Sequence, residues 1–559
     1  MGIPAVAVYS DPDAEALHVD LADDAFRLGP AAPSESYLNI PRILDVAKKA
    51  KATMVHPGYG FLAENADFVR AVTAAGLTFI GPSAESMERM GDKAAARRTA
   101  QEAGAPLIPG TLEPVDSQNA EGEAERIGYP LVVKAAFGGG GKGMQLVGDA
   151  GGLREAAERS AREAKAYFGR PEVYLERYIE RAHHVEVQII ADAHGHVSFL
   201  GERDCTLQRR YQKLVEETPS PVVTPDLRAR MGEAAVAIAR AAGYVNAGTI
   251  EFLVDEDGSF FFMEMNTRLQ VEHPVTEMVT GRDLVRLMIL VAMGEAVEVE
   301  PAPRGHAIEC RINAEDPYRD FLPGPGAITA YDPPAGPFVR VDSGVAEGKR
   351  VVGDYDSLFA KLIVWGEDRE QARRRMLRAL DEFRIAGVPT TIPFHQWVLD
   401  TKEFREATAH TRWVEAALAE GGLLSPAGRA AVGAEPDEGS VTRVPATRPI
   451  QLMVEVDGHR LPVRVWGKDV PTPPPPPNSG SHAAVAGDGG EVIPAPMQGT
   501  ILKVLVERGQ AVQVGETLCI LEAMKMENHI VATREGTVAD VAVSQGDVVE
   551  TGQRMVVIE

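Results

Sequence analysis

Two segments near the C-terminus repeat one another. Residues 499–522 and 536–559 align without gaps at an offset of 37, and eight of the 24 positions are identical. Each segment alternates apolar and polar residues and is interrupted at glycines, which is typical of short antiparallel strands joined by tight turns. Such a repeat predicts two similar β-units that fold against each other. The C-terminal region is therefore predicted to be a small β-sandwich with internal two-fold symmetry.

A single lysine stands in the segment between the two repeats. It is Lys525, in the sequence Met524-Lys525-Met526. A joining segment between two β-units is a natural position for an exposed turn. A lysine in a loop is most often only a solvated surface residue. The symmetric frame and the two flanking methionines indicate instead that Lys525 has a specific function.

This frame, with Ala-Met-Lys-Met at its turn, resembles the biotinyl carrier domain of biotin-dependent carboxylases. The segment PAPMQGT at 494–500 resembles the start of that module. Lipoyl carrier domains share the frame but usually lack the flanking methionines. The resemblance therefore implies biotin attached through an amide to Lys525. The amide would remove the charge of the lysine and place the cofactor on a long flexible tether.

A proline-rich segment precedes this region. Residues 470–490 contain five consecutive prolines followed by a Gly-, Ser- and Ala-rich part, which predicts a linker that is semi-rigid in its first part and flexible in its second. A proline-motif ligand for a partner domain is the alternative. Residues 448–467 read as two alternating strands around Asp457-Gly458, a strong hairpin signal. This hairpin is either a subunit-docking element or a simple packing element.

Charge and cysteine content restrict the partners. The 559 residues carry 57 basic and 81 acidic side chains, for a net charge of −24, which argues against nucleic acid or an anionic membrane as a partner. Three cysteines without metal-like spacing predict free thiols in a reducing compartment. No signal peptide is recognised, and the most apolar helical run, 284–294, is too short to span a bilayer. We expect a cytoplasmic protein.

The N-terminal two thirds of the chain alternate strand and helix patterns, which is typical of α/β architecture. The apolar run 129–135 leads into AFGGGGKGM at 136–144. This is not a Walker A loop, because Ala136 replaces its first glycine and Gly143 stands where Ser or Thr should follow Lys142. Glycine N–H groups can approach a phosphate closely, although a flexible turn would explain the run equally well.

Two carboxylates are predicted to face each other within 248–274. If Asp257-Gly258 form a two-residue turn, Glu251 lies directly opposite Glu264. Two opposed carboxylates are tolerated best around a cation such as Mg²⁺. If the extended period of two continues, the face of Glu264 also carries Asn266, Arg268, Gln270 and Glu272. An ordinary solvated strand face is the alternative, because a longer turn would shift the register.

Five motifs carry a second resemblance. They are Lys93 in GDK, Lys134 before the glycine run, HHVEVQ at 183–188, RDCTLQRRYQKLVEE at 203–217 and EMNTRLQVEHPVTE at 264–277. In order and spacing they resemble an ATP-grasp enzyme of the biotin carboxylase type over about residues 1–420. Together, the two resemblances identify the chain as a member of the biotin-dependent acyl-CoA carboxylase α subunits, of the acetyl- or propionyl-CoA type.

The resemblance implies a role for each candidate residue. ATP would be held by Lys93, Lys134, Gly138, Gly139, Gly140, Gly141, Lys142, Gly143, Glu176, His184 and Gln208. Mg²⁺ or Mn²⁺ would be held by Glu251, Glu264 and Asn266. Bicarbonate would be held by Lys213, Arg268, Gln270 and Val271, with Glu272 as its general base. The catalytic set would be Glu272, Arg268, Lys213 and Arg340, with Arg340 stabilising the enolate of biotin. Tyr355-Asp356 resembles a further patch of this site; a simple ion pair of Arg340 with Asp356 or a neighbour is the structural alternative.

The implied reaction is ATP- and bicarbonate-dependent carboxylation, through carboxyphosphate, of the biotin on the chain's own carrier domain. A separate carboxyltransferase β subunit would then make malonyl-CoA or methylmalonyl-CoA, because the part after residue 420 has no room for a carboxyltransferase or a barrel of ~250 residues. A biotin protein ligase and homo-oligomeric carboxylase contacts in a larger α/β assembly are the other implied partners. Nucleic acid and membrane are not expected.

The combined patterns predict a mixed α/β and α+β chain with six regions. They are an N-terminal α/β domain (1–90), an ATP-grasp domain (91–305) with a glycine-rich lid (about 106–178), a carboxylase C-terminal domain (306–420), a small β-element (421–469), the linker (470–490) and the biotinyl barrel-sandwich hybrid (491–559). The first region matches only the second strand of the usual domain, so we expect it to be truncated by one strand and one helix.

That expected truncation leaves two functional classes open. One is a working biotin carboxylase. The other is a biotinylated carrier or scaffold whose ATP-grasp domain is inactive. A different ATP-grasp ligase that activates another carboxylate is a third and weaker alternative, given Lys525.

Overall fold

The structure is a computed structural model. It describes residues 1–111, 115, 120–135, 145–168, 173–300, 303–423, 450–456, 459–465, 491–496, 499–523, 526–549 and 552–559. The glycine run with Gly138 to Gly143, the linker 470–490 and Lys525 therefore lie outside the described residues.

The N-terminal region forms two parallel strand pairs, β1 with β2 and β3 with β4, with helices beside them. Phe68, Val72 and Phe79 form its core with neighbouring apolar residues. Asn65 and Ser83 cap the helices that follow them with side-chain oxygens, as their residue types favour. The elements are β1 (Val6–Ser10), α1 (Leu17–Leu21), β2 (Asp24–Gly29), α2 (Ile40–Lys49), β3 (Met54–Val55), α3 (Ala66–Ala74), β4 (Thr78–Phe79) and α4 (Ala84–Gly91).

The next region contains a small three-stranded sheet and most of a large one. The small sheet has the order β6-β5-β7 and packs against α6 and α7. The elements are α5 (Lys93–Glu102), α6 (Ala120–Ile127), β5 (Leu131–Ala135), β6 (Gln145–Val147), α7 (Leu153–Phe168), β7 (Val173–Arg177), β8 (His183–Ala191), β9 (Val197–Arg209), β10 (Gln212–Thr218), α8 (Pro225–Ala241), β11 (Asn246–Val254), β12 (Phe260–Asn266), α9 (His273–Thr280) and α10 (Leu284–Ala292).

The following region completes the large sheet and covers it with helices. Its core includes Leu362, Met376 and Phe394, all buried. The elements are β13 (His306–Asn313), β14 (Glu315–Asp316), β15 (Leu322–Pro323), β16 (Gly326–Ala327), β17 (Ala330–Asp332), β18 (Val339–Ser343), β19 (Arg350–Val351), β20 (Leu358–Gly366), α11 (Arg369–Glu382), β21 (Arg384–Ala386), α12 (Ile392–Asp400), α13 (Lys402–Arg405) and α14 (Trp413–Ala419).

The large sheet has eight antiparallel strands in the order β12-β11-β8-β9-β10-β13-β20-β18. Strands that are far apart in sequence are therefore neighbours in space. One face of the sheet packs against α5 and α8. Val187 and Phe252 of the sheet and Met231 of α8 are fully buried there. The sheet is the frame on which the site described below is built.

The hairpin of β11 and β12 corrects one prediction. Val254 pairs with Phe260, so five residues rather than Asp257-Gly258 alone connect the strands. The Asp255 N–H donates to the Ser259 carbonyl, and Gly258 takes a positive φ of 80°, as a glycine in a longer hairpin loop does. The register then shifts between Phe252 and Glu251, because β12 contains one extra residue there, a β-bulge. The bulge compensates for the longer loop, and Glu251 pairs directly with Glu264 as predicted.

A separate hairpin is formed by β22 (Ile450–Val456) and β23 (His459–Val465). Val456 pairs with His459, so the two strands predicted within 448–467 are present. Asp457 and Gly458 lie outside the described residues, and the docking role of this hairpin stays a prediction.

The C-terminal region is a sandwich of two four-stranded sheets, β24-β31-β29-β26 and β28-β27-β25-β30. The two orders become identical when each strand is exchanged for its counterpart 37 residues away. The bulges also repeat, between Ile501 and Lys503 and between Val538 and Asp540. The elements are β24 (Glu491–Pro494), β25 (Gly499–Val504), β26 (Ala511–Val512), β27 (Thr517–Ala523), β28 (Met526–Val531), β29 (Gly536–Val541), β30 (Val548–Val549) and β31 (Arg554–Ile558).

The core of this sandwich repeats as well. Eight pairs of residues at the offset of 37 are buried in one cluster: Ile493/Ile530, Ala495/Ala532, Ile501/Val538, Val506/Val543, Val512/Val549, Leu518/Met555, Cys519/Val556 and Leu521/Ile558. Each half contributes its short strand to the sheet of the other half, β30 to β25 and β26 to β29. The predicted two-fold β-sandwich is confirmed. β27 and β28 pair with Ala523 opposite Met526, which places them on either side of the Met524-Lys525 position.

Candidate active site

A row of charged residues crosses one face of the eight-stranded sheet. Glu264 pairs with Glu251 and Glu251 with Glu186, and Glu186 pairs with Arg203 on the next strand. Further along, Arg311 pairs with Lys361 and Lys361 with Asp342. Directly opposed residues on neighbouring strands point to the same face. The register therefore places these side chains, which come from seven of the eight strands, on one polar surface of the sheet.

Lys213 lies at the centre of this row. Its Nζ donates to Glu186 Oε2 at 2.5 Å, Glu272 Oε1 at 2.7 Å and Glu251 Oε1 at 2.9 Å. Burial would lower the pKa of Lys213, but these three carboxylates outweigh it and raise that pKa well above its usual range. Gln208 is its direct partner across β9 and β10. One lysine thus contacts three carboxylates that lie 27, 38 and 59 positions away from it in the chain.

Glu272 is fully buried immediately before α9. Its Oε1 accepts from Lys213, and its Oε2 accepts from Arg311 Nη2 at 3.0 Å. Burial would raise the pKa of Glu272, but Lys213, Arg311 and Arg203 hold it well below its usual range. Lys213 and Arg311 favour the ionised form of the carboxylate, which is the form that a general base requires.

The predicted carboxylate pair is present, with different surroundings for its two members. Glu251 Oε1 also accepts from Asn266 Nδ2 at 2.8 Å and Gln270 Nε2 at 3.2 Å, and its Oε2 lies 3.1 Å from His184 Nε2. Within the part of the chain that the structure describes, no hydrogen bond or ion pair reaches the Glu264 carboxylate. Partial desolvation, and then the Glu251 charge, raise the pKa of Glu264, although this residue keeps surface exposed to solvent.

This donor set fits a hard divalent cation. Two opposed carboxylates and an amide are oxygen donors of the kind that Mg²⁺ takes while keeping waters and phosphate oxygens as further ligands. The Glu251 charge contributes to the raised pKa of Glu264, and a bound cation would relieve this repulsion between the two carboxylates. A second group of possible donors, His184, Glu186 and Glu251, has atoms within 4.8 Å of one another. Lys213 bridges its two carboxylates, and Glu251 is the residue that this group shares with the opposed pair.

The small sheet contributes a second cationic group. Lys134 on β5 forms an ion pair with Glu176 on β7, and Arg97 Nη1 donates to the other oxygen of Glu176 at 2.9 Å. Burial would raise the pKa of Glu176, but Lys134 and Arg97 outweigh it and lower that pKa. Burial lowers the pKa of Lys93 at the start of α5, and the charge of Lys134 nearby adds to this effect. Lys93, Lys134 and Glu176, predicted from separate motifs, are thus close together.

Arg268, Gln270 and Val271 follow β12 in an irregular segment rather than in a continued strand, so the period of two predicted beyond Asn266 is wrong. Arg268 Nη1 donates to Gln270 Oε1 at 2.9 Å, and Arg268 Nε donates to Glu64 Oε2 at 2.9 Å. Glu64 Oε1 also accepts the Thr267 N–H at 2.8 Å. The Val271 carbonyl accepts from Lys361 Nζ at 2.8 Å. These tertiary contacts, not strand pairing, direct the segment into the site.

Arg340 lies at the far end of the row on β18. Its guanidinium forms two hydrogen bonds to Asp342, at 2.7 and 2.8 Å, and one to Glu277 Oε2 at 2.7 Å. Asp356 is not its partner. A third of the Arg340 side chain remains exposed, and a cavity of about 380 Å³, lined also by His273 and Glu277, lies against it. Arg340 is therefore oriented by two acids and open on one side.

Several residues of this cluster are missing from the set predicted above, notably Glu64, Glu186, Arg203, Arg311 and Lys361. Glu186 lies inside the recognised HHVEVQ motif, two positions from His184. Lys361 stands in an otherwise apolar strand sequence, LFAKLIVWG, and Arg311 stands in HAIECRIN, where polar residues alternate with apolar ones. A charge in a buried strand is a signal of a buried pair. No local pattern points to Glu64, because its partners lie about 200 positions away.

Replacing Lys213 by Met is expected to destabilise the carboxylase region by about 3 to 5 kcal/mol, the cost of leaving buried charges without their partner. The three carboxylates would then repel one another, and the pKa values of Glu251 and Glu272, which Lys213 lowers, would rise toward those of the unfolded chain. A lowered carboxyl pKa stabilises the folded chain above the unfolded pKa, so the deficit should grow as pH rises through the ordinary carboxyl range. Denaturant unfolding followed at several pH values measures it.

The exposed Lys49, which pairs with Asp45 on the surface of α2, provides the control. Lys49→Met should change stability by less than about 1 kcal/mol. Equal losses for the two variants would contradict the central role of Lys213.

Comparison with known proteins agrees with this architecture. Four family models match: Biotin carboxylase, N-terminal domain (residues 1–87); Carbamoyl-phosphate synthase L chain, ATP binding domain (92–300); Biotin carboxylase C-terminal domain (309–416); and Biotin-requiring enzyme (491–558).

Individual relatives extend the match. A biotin-dependent acyl-coenzyme A carboxylase alpha3 subunit of Mycobacterium leprae is 47% identical over 95% of this chain and 90% of its own length. The crystal structure of a Campylobacter jejuni biotin carboxylase–βγ-ATP complex has a TM-score of 0.72 at 46% identity, over 74% of this chain and 94% of that one. The biotin carboxylase domain dimer of a Hydrogenobacter thermophilus 2-oxoglutarate carboxylase, with MgADP, ADP and bicarbonate, has a TM-score of 0.71 at 44% identity, over 75% and 93%.

The fold and the site define an ATP-grasp ligase of the biotin carboxylase class, joined in one chain to a biotinyl β-sandwich. The chain belongs to the family of biotin-dependent acyl-CoA carboxylase alpha subunits. Its cofactors are accordingly biotin, ATP and Mg²⁺.

The prediction of a truncated N-terminal domain is wrong. The family model of that domain matches residues 1–87, and both parallel strand pairs and their helices are formed. Glu64 of this domain also reaches Thr267 and Arg268 in the site. The expected truncation depends on one N-terminal motif that this sequence lacks. The core of the domain and the contacts of Glu64 depend instead on residues that the chain contains. An inactive ATP-grasp domain is therefore not favoured.

The structure also bears on the predicted free thiols and on the predicted lack of a membrane-spanning helix. Cys205, Cys310 and Cys519 are free and buried, as expected. Among the described residues, no helix has the length and apolar character needed to cross a bilayer. α10, in the most apolar run, has nine residues.

Proposed function

We propose that this chain carboxylates the biotin on its own Lys525 with ATP and bicarbonate and supplies the carboxyl group to a separate carboxyltransferase. The observation that carries this proposal is the position of the Glu272 carboxylate, held between Lys213 and Arg311 and linked by Lys213 to the Glu251–Glu264 pair. A candidate base, the two cations that hold it and a pair of carboxylates suited to a metal ion thus lie on one surface. These are the groups that activation of bicarbonate by ATP requires.

For the nucleotide, the proposed contacts come from the ATP-binding region. Lys93, Lys134 and the glycines from Gly138 to Gly143, with Lys142, would surround the phosphates, while Glu176, His184 and Gln208 complete the site. Mg²⁺ or Mn²⁺ would be held by Glu251, Glu264 and Asn266 and would neutralise charge on the phosphates. Lys134 must then exchange part of its pairing with Glu176 for a phosphate, which its flexible side chain permits.

For bicarbonate, the proposed contacts are Lys213, Arg268, Gln270 and the Val271 backbone. Arg268 is anchored by Glu64 and by Gln270, so its guanidinium is oriented before the anion binds. Glu272 would accept the bicarbonate proton as a bicarbonate oxygen bonds to the γ-phosphorus, the bond from that phosphorus to ADP breaks, and carboxyphosphate and ADP form. Most of the rate enhancement would come from positioning and charge neutralisation.

For biotin, the proposed contact is Arg340, whose open side faces the cavity beside His273. Carboxyphosphate would break down to CO₂ and phosphate, the phosphate would take the proton of the ureido nitrogen of biotin on Lys525, and that nitrogen would bond to CO₂. Arg340, oriented by Asp342 and Glu277, would stabilise negative charge that develops there. Tyr355 and Asp356, further along the same region, stay a predicted outer part of this site.

The proposal also includes the partner proteins of this chain and the bounds of its domains. The partner would be a carboxyltransferase β subunit that makes malonyl-CoA or methylmalonyl-CoA, and a biotin protein ligase would modify Lys525. Carboxylase contacts between copies of the chain are supported by the Hydrogenobacter thermophilus domain, which forms a dimer. The six predicted regions, from 1–90 to 491–559, are proposed as the domains and linking segments of the chain.

The experiment that tests this proposal is ATP hydrolysis by the full chain with and without bicarbonate and free biotin. Hydrolysis that requires bicarbonate and rises with biotin supports it. A folded, biotinylated protein without this activity would contradict it and favour a carrier without carboxylase activity.

Replacing Glu264 by Gln is expected to raise the Mg²⁺ concentration needed for half-maximal ATP hydrolysis by about tenfold or more, because the site loses a charged ligand. Titration of MgCl₂ at fixed free ATP measures the change. Glu256→Gln is the matched control, since Glu256 is exposed in the hairpin loop and pairs with Arg181 away from the site. An unchanged Mg²⁺ requirement in Glu264→Gln would rule out Glu264 as a ligand.

A further inference from the structure

Beside the site, two buried carboxyl groups face each other across β10 and β13. Glu216 is the direct partner of Glu309 in the strand register, and both side chains have no exposed surface. Neither oxygen of Glu309 and only one of Glu216 has a hydrogen-bond partner within the described ranges. Two ionised carboxylates in this arrangement would repel strongly, because both are buried in a low-dielectric interior.

The cations nearby do not remove this repulsion. Arg311 donates to Glu216 Oε1 at 2.5 Å and to Glu272 Oε2 at 3.0 Å. Lys361 donates to the Val271 carbonyl at 2.8 Å. Both cations are thus committed to other acceptors, and neither makes a hydrogen bond to Glu309. A proton is the simplest group that satisfies the pair.

The charged and titratable groups facing Glu309 come from every neighbouring element: Glu216 from β10, Arg311 from β13 itself, Lys361 from β20, Glu272 before α9 and Tyr59 from the N-terminal region. Burial raises the pKa of Glu309 well above its usual range; Lys361 opposes this effect and Glu216 reinforces it. Burial likewise raises the pKa of Glu216 to about 7, although Arg311 opposes it. These directions agree with a pair that retains a proton near neutral pH.

We propose that Glu216 and Glu309 hold one proton between them, and that Glu309 is a positioning residue for Glu272 that acts through Arg311. With a single negative charge on the pair, Arg311 is shared between Glu216 and Glu272. A second negative charge would attract Arg311 and Lys361 away from Glu272 and Val271. The role of Glu309 rests on the proposed role of Glu272 as base, whereas the shared proton does not.

The shared proton is tested by stability, without any activity measurement. A carboxyl group whose pKa is higher in the folded than in the unfolded chain makes the folded state bind more protons. Folding stability then declines as pH rises above the ordinary carboxyl pKa of about 4.3. Gln cannot titrate, so the Tm of Glu309→Gln relative to wild type should rise between about pH 5 and pH 8. A difference that stays constant or falls over this range would overturn the proposal.

Glu202→Gln is the matched control. Glu202 is also buried but is paired with Arg228 through two hydrogen bonds of 2.7 Å. The Tm of Glu202→Gln relative to wild type should therefore not rise with pH. A rising difference in this variant as well would show that the effect is not particular to Glu309.

The positioning role is tested by bicarbonate-dependent ATP hydrolysis in Glu216→Gln, Glu309→Gln and the double variant. Each single variant should keep activity near that of wild type at neutral pH, because the remaining carboxylate supplies the single charge. The double variant should be about tenfold less active than the product of the single effects, a coupling typical of buried groups in one network.

The pH profile provides a further readout. Wild type should lose activity at alkaline pH as the pair loses its proton, and Glu309→Gln should lose less. Additive effects and an unchanged alkaline limb would overturn the positioning role. Absence of activity in wild type would contradict the proposed function instead, and the stability measurement would still decide whether the proton is shared.

Discussion

Glu272→Gln is expected to lower bicarbonate-dependent ATP hydrolysis by about 10²- to 10⁴-fold, the contribution of a positioned acid or base. Gln has nearly the same shape and can still accept a hydrogen bond from Lys213 or Arg311, but it cannot take up the bicarbonate proton. Since the ATP-binding groups lie on other elements, the KM for ATP should change little. Steady-state kinetics in bicarbonate and in ATP separate the two effects.

The control for Glu272→Gln must also remove a buried, paired carboxylate. Glu202→Gln does so on the same sheet, next to Arg203 but on the opposite face, because successive residues of a strand alternate. It should lower stability and leave the kinetics unchanged. A loss of less than about tenfold in Glu272→Gln would contradict the role of Glu272 as general base.

Lys525→Arg is expected to abolish transfer of a carboxyl group to an acyl-CoA in the presence of the carboxyltransferase. An arginine keeps the charge and much of the length, but its guanidinium stays protonated and is not a substitute for the lysine amine in forming an amide. The intact mass should lack the biotin increment. Hydrolysis of ATP stimulated by free biotin should persist, because the carboxylase site lies on a different part of the chain.

Lys503→Arg is the matched control for this variant. Lys503 is an exposed lysine on β25 of the same domain, so its replacement should leave both the biotin increment and carboxyl transfer intact. A biotin increment that survives in Lys525→Arg would show that another lysine is modified.

The C-terminal domain shows how much a sequence repeat can predict. Because the two halves match at an offset of 37, an apolar residue in one half marks a core position in the other, as with Val506 and Val543. The two-fold sandwich follows from that pattern alone. Which short strand joins which sheet does not, because β26 and β30 cross over to the other half.

The carboxylate pair was predicted correctly from a partly incorrect turn. The alternation of β11 and β12 indicated that Glu251 and Glu264 share a face, but the five-residue loop and the bulge cancel each other only in the folded hairpin. Local sequence specifies the face of a side chain more reliably than it specifies the turn, because the period of a strand is two whereas several turn types fit the same residues.

The sequence by itself determined the parts of this protein that depend on local pattern or motif: the β-repeat with Lys525 at its junction, the hairpin carboxylates and the motif residues from Lys93 to Glu272. Only the tertiary structure decided how they meet. Lys213 reaches Glu186, Glu251 and Glu272, Arg311 connects Glu272 to Glu216, and Glu64 orients Arg268. These contacts depend on the order of eight strands and on the packing of the N-terminal region against them. Strand order is set by burial of the whole sheet, a global free energy that no short window of sequence contains.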